Sequence, residues 1–79
     1  MNNETGSVEV AVEFVDGSRR DFTQPVGILA THERLAHRGL QGKALVDCLF
    51  GDDWGPAPVR VTFTYQGDGE THSFDIRYE

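Results

Sequence analysis

The sequence predicts an α+β domain: a four-stranded, mostly antiparallel sheet in the order strand, strand, helix, helix, strand, strand, with two short helices packed on one face. Three observations predict it. Residues 8–15 alternate apolar and polar side chains, two further alternating runs flank Asp68-Gly69, and residues 26–57 between them lose the alternation and hold two short helical stretches.

Val8, Val10, Val12 and Phe14 lie on one side of the first run, with Glu9 and Glu13 on the other, the pattern of a half-buried strand. The returning strand, residues 18–24, is ended by Pro25. A two-residue Asp16-Gly17 turn would send Phe22, the only large apolar residue of that strand, to the solvent side opposite Ala11. A three-residue loop, Val15-Asp16-Gly17 with Gly17 left-handed, instead pairs Phe22 with Val10 on the core face and Arg19 with Glu13 outside. The three-residue loop is therefore expected. In the middle, a helix from about Ile28 or Thr31 to Arg38 ends at Gly39, and a second from about Gly42 to Phe50 ends at Gly51. Leu45 and Leu49 form a stripe on the second, flanked by Ala44, Val46, Cys48 and Phe50, so it is expected to bury most of its circumference. Residues 51–58 read as a loop, and Pro58 is tolerated at a strand start. In the last hairpin a two-residue Asp68-Gly69 turn matches Phe63 with Phe74, Val61 with Ile76 and Val59 with Tyr78 on one face, and leaves Arg60, Thr62, Thr64, Gln66, Thr71, Ser73, Asp75 and Arg77 on the other. Residues 1–6 are expected as a mobile tail and 7–79 as one domain.

Composition bounds the function. The 79 residues leave room for one domain whose core is thin, and sharing apolar surface in a homodimer would thicken it. No apolar run is long enough to span a membrane and the polar start does not read as a secretory signal, so a cytoplasmic location is expected. The single Cys48 cannot form an internal disulfide. The net charge of −6 argues against direct nucleic-acid binding by phosphate attraction. Charge alternates along the chain: −4 over residues 1–17, +3 over 18–43 and −5 over 44–79. That pattern suits either internal pairing or an acidic face offered to a basic groove.

The stretch His32-Glu33-Arg34-Leu35-Ala36-His37 is close to the helical zinc-protease signature, but its histidines are five residues apart. Five steps rotate them roughly 140° around a helix, too far to grip one metal. A surface pair of Glu33 with His37 is the expected arrangement. Cys48, among apolar neighbours, is expected to be a buried structural thiol, and His72 to sit opposite Tyr65 near the hairpin tip. No serine lies in a nucleophile elbow and the glycines punctuate helices without forming a phosphate loop. No enzyme activity, cofactor or metal is therefore expected.

The remaining feature is Asp52-Asp53-Trp54, an acidic pair beside the only tryptophan. Trp54 reads either as the lid of a small core or as an aromatic anchor for a partner. The candidate partner-binding residues are Asp47, Asp52, Asp53 and Trp54, with Arg34, Arg38 and Lys43 as a secondary surface. The function expected is a small acidic protein that inhibits or modulates a larger nucleic-acid-handling partner by occupying its basic surface. The general class expected is that of the inhibitors that mobile elements direct at host defences, for example of the anti-CRISPR type, with no motif tying the chain to a family. The alternatives are a homo-oligomeric structural or assembly subunit and, less favoured, a small enzyme using His32, His37 or Cys48.

Overall fold

Alternation and turn chemistry build two hairpins, and the pairing of their inner strands makes one sheet. The computed structural model describes residues 6–78. In chain order the elements are β1 (Ser7–Phe14), β2 (Arg19–Pro25), α1 (Ile28–His37), α2 (Gly42–Phe50), β3 (Pro58–Gly67) and β4 (Glu70–Arg77). All neighbours are antiparallel and the spatial order is β2-β1-β3-β4. The expected tail falls mostly outside the described residues; of it only Gly6 is described, and its carbonyl accepts a hydrogen bond from the Val26 amide at 3.2 Å.

Both registers are those expected. Val10 pairs with Phe22 and Glu13 with Arg19 across the first hairpin. Its loop closes through Phe14 N–H to the Ser18 carbonyl at 2.9 Å, with Gly17 at φ +88°. In the second hairpin Phe63 pairs with Phe74 and Val61 with Ile76. Asp68 and Gly69 both have positive φ, 55° and 77°, the turn geometry that the Asp-Gly dipeptide favours.

β1 then pairs with β3, setting Val10 beside Phe63 and Val12 beside Val61. Val8, Val10, Val12, Phe14, Val61, Phe63 and Ile76 from the sheet, with Leu45 and Val46 from α2, form the buried core. Fully burying a side chain of this size contributes about 1.5–3 kcal/mol. The molecule measures 41 × 28 × 19 Å, a slab in which one layer of helices covers one face of one sheet.

Some expectations are corrected. A bulge between β1 and β3 sets Phe14 opposite Pro58 while Glu13 remains opposite Arg60, so Val59 is the extra residue. Pro58 consequently turns inward and Val59, expected in the core face, is 43% exposed. Cys48, expected to be buried, is exposed, and so is Ala44. Only Leu45 and Val46 of α2 are fully buried, so that helix packs along one side. α1 ends at His37 and has Arg38 as its C-cap, and none of its residues is fully buried. Its expected Glu33–His37 pair does not form; the ion pairs among the described residues are Arg19–Asp21, Lys43–Asp47, Arg60–Glu13 and Arg60–Asp75. Arg19 faces Glu13 in the register but bonds Asp21 at 2.8 Å, while Glu13 is taken by Arg60 at 2.9 Å.

Candidate functional site

The loop 51–57 crosses the end of the sheet where β1 stops and β3 begins. Gly51 caps α2 by donating its amide to the Asp47 carbonyl at 2.7 Å, and its φ of +88° suits glycine. The other end of the loop is tied down by Val15 N–H to the Ala57 carbonyl at 2.8 Å. That bond sets the loop beside the β1–β2 turn, which carries Asp16.

Trp54 resolves to the lid of the core. Its ring lies 5.8 Å from Phe14 and 6.2 Å from Phe50, and the Arg20 guanidinium sits 5.8 Å from it on the outside. Its indole Nε1 is buried and has no hydrogen-bond partner among the described residues. Sunk in this way, the indole pins the loop while Asp52 and Asp53, immediately before it, remain exposed and in no ion pair among the described residues.

Asp47 is engaged within the chain. It accepts from Lys43 Nζ at 2.8 Å and from the Tyr78 hydroxyl at 2.7 Å. The Lys43 hydrogen bond, then that of Tyr78, holds its carboxyl below the usual carboxylate range, and Lys43 is raised in return, chiefly by the same bond. Tyr78 is pushed up by burial first and by Asp47 second. Asp16 is likewise lowered, by the Ser18 hydroxyl and amide that it accepts at 2.6 and 2.9 Å. Asp16, Asp52 and Asp53 thus form the exposed acidic set, with Asp47 bracing the helix behind them.

The secondary set divides. Arg34 and Arg38 are exposed near the end of α1 and in no ion pair among the described residues, whereas Lys43 is held by Asp47 and lies 5.8 Å from the Tyr78 ring. His32 is turned onto the sheet, 4.9 Å from Phe74 and 6.0 Å from Phe63, which parts it from His37 on the exposed side of α1. Burial lowers its pKa, with Glu33 opposing. His72 stacks on Tyr65 at 5.4 Å and its Nε2 lies 3.2 Å from the Gly67 carbonyl. Among the described residues no three His, Cys, Asp or Glu side chains are grouped to hold a metal, and no helix is long and apolar enough to cross a membrane.

Sequence reasoning found the polar side of the second hairpin but missed how far it extends. With β1 against β3, the outward residues of all four strands make one polar face that no other described element covers: Thr23, Glu9, Thr64 and Ser73 in one row, Asp21, Ala11, Thr62 and Asp75 in the next, Arg19, Glu13, Arg60 and Arg77 in the third. The small Ala11 and Thr62 leave a depression of about 610 Å³ over β1 and its neighbours, walled by Glu9, Glu13, Arg19 and Asp21. The signal available was parity: in every strand the residues opposite the apolar set are polar or small.

Comparison with known families, with curated proteins and with solved structures finds no match to this chain.

Proposed function

We propose that this protein is a non-catalytic binding protein that presents its acidic loop to a basic surface of a larger, nucleic-acid-handling protein and thereby inhibits or modulates it. The observation that carries the reading is the loop itself: Trp54 is packed into the core while Asp52 and Asp53 stand exposed beside it. A charge pair on an anchored loop meets its partner with less ordering entropy to lose than one on a free loop. Asp16 on the adjoining turn adds to the same end, and the net charge of −6 steers the whole molecule toward positive surfaces. Trp54 acts here as the support of the acidic pair, not as the anchor inserted into the partner.

The test is affinity capture from cells that carry the gene, at low and high salt, with wild type beside Asp52→Asn/Asp53→Asn. The amides keep size and shape and remove charge. A protein retained at low salt, lost at high salt, lost with the amide variant and displaced by added nucleic acid is the expected result. Retention that depends on neither salt nor the two carboxylates would overturn the reading.

A further inference from the structure

β4 leaves one side of its backbone open. Tyr78 N–H donates to the Val59 carbonyl at 3.0 Å, which fixes the phase of the β3–β4 ladder. Val61–Ile76, Phe63–Phe74 and Tyr65–His72 are then the pairs that exchange both bonds, and the peptide groups of Thr71, Ser73, Asp75 and Arg77 point away from β3. The sheet order makes β4 an edge, and among the described residues no backbone bond outside the ladder involves those four peptides.

The opposite edge is built differently. Phe14 N–H to the Ser18 carbonyl sets the phase there, so Arg19, Asp21, Thr23 and Pro25 point outward from β2. Pro25 has no N–H to offer, and the Arg19–Asp21 ion pair closes on that edge at 2.8 Å. Proline and clustered charge are common devices that keep an edge from pairing. β4 has no proline, and its outward positions are two hydroxyl residues followed by one acid and one base.

Asp75 and Arg77, unlike Arg19 and Asp21, are not paired with each other among the described residues, so these opposite charges two residues apart make the β4 edge complementary to itself. Registers that set Asp75 against Asp75, or Arg77 against Arg77, of a second copy place like charges face to face. The register that sets Asp75 opposite Arg77 does so twice about the two-fold axis, giving two reciprocal ion pairs. On the helix side it aligns Ile76 with Ile76 and Phe74 with Tyr78, and both of these aromatics are only partly buried in the single chain. We propose that β4 is a self-association edge, at which two copies of this chain join by antiparallel β4–β4 pairing with Asp75 opposite Arg77 of the second copy. The product is a continuous eight-stranded sheet with an acidic loop on each copy.

Sedimentation equilibrium of the full chain over a range extending to near-millimolar concentration reads this directly, with the fold of each variant checked by circular dichroism. The wild type is expected to pass from monomer to dimer. Asp75→Arg and Arg77→Asp each turn both attractive pairs repulsive and are expected to weaken the dimer roughly tenfold or more. Mixed together, the two single variants place two arginines against two aspartates and are expected to associate. The double variant Asp75→Arg/Arg77→Asp restores both pairs, and Arg77→Asp alone leaves the internal Asp75–Arg60 contact at 3.7 Å in place, which keeps the test available where Asp75→Arg disturbs it. Asp52→Asn/Asp53→Asn is expected to dimerise like wild type, so this interface stands or falls separately from the acidic loop. A chain monomeric at every concentration, association indifferent to both single charge changes, or single variants that do not associate when mixed would each overturn the proposal.

Discussion

Trp54 meets two opposing demands in one side chain. Its rings close the core against Phe14 and Phe50, while its Nε1–H is buried without a partner among the described residues. An unpaired buried donor costs about 1–3 kcal/mol. Trp54→Phe removes the donor and keeps most of the ring, so its stability is expected to lie within about 1 kcal/mol of wild type, the lost volume offsetting the removal of the unpaired indole N–H. Trp54→Ala removes the packing as well and is expected to cost about 2–3 kcal/mol, at or below the lower end for large aromatics because the residue is only partly buried. Urea unfolding measures both, and a phenylalanine variant as unstable as the alanine one would show that the indole N–H is satisfied. Cys48 teaches a related lesson about angle. At 100° per residue, Leu45, Val46, Leu49 and Phe50 occupy one arc of α2, and Cys48 and Ala44 fall roughly 130° or more from its centre. Apolar neighbours in sequence suggested burial; the rotation places the thiol outside, where it is found.

At the scale of elements, both hairpins were legible because a strand has only two sides and a turn fixes the register. Phe22 chose the first loop, and the Phe63–Phe74 match chose the second. The helices were legible in extent but not in docking, since neither is long and α1 has no fully buried residue to mark its inner face. What holds them is partly titratable. His32 lies on Phe74 and Phe63, and burial lowers its pKa below the ordinary 6.5; Asp47 bonds Lys43 and Tyr78 and is lowered below 3.8. For both groups the unfolded chain binds protons more readily, so the stabilisation is complete above the ordinary value and is lost as pH falls through the folded one. Stability is therefore expected to fall in two steps on acidification, the first beginning near pH 6.5 from His32 and the second below pH 3.8 from Asp47 together with Asp16, whose carboxyl the Ser18 hydrogen bonds also lower. Urea midpoints taken across this range, with His32→Phe and Asp47→Asn alongside, assign the steps: each variant should flatten its own step and leave the other. A first step unchanged in His32→Phe would place its origin elsewhere.

For the molecule as a whole, what the sequence did not reveal was the β1–β3 pairing. Alternation specifies which residues of a strand face inward, but the choice of neighbour depends on contacts between residues some fifty positions apart, and several strand orders satisfy the same alternation. That one pairing decides how the chain unfolds. Each hairpin alone exposes its apolar face, and an isolated hairpin is marginal in water. Val10 against Phe63 and Val12 against Val61 complete the core across the pairing, and α2 packs onto the residues it brings together. Neither hairpin holds a core of its own, so separate unfolding of either one would expose the same side chains as complete unfolding. Trp54 is placed to report on this, because it touches Phe14 of β1 and Phe50 of α2. Its fluorescence transition in urea is expected to coincide with the far-ultraviolet circular dichroism transition, and Val12→Ala at the β1–β3 pairing should move both midpoints down together. A fluorescence change that precedes loss of the sheet signal would show that α2 and the acidic loop leave the sheet as a separate unit.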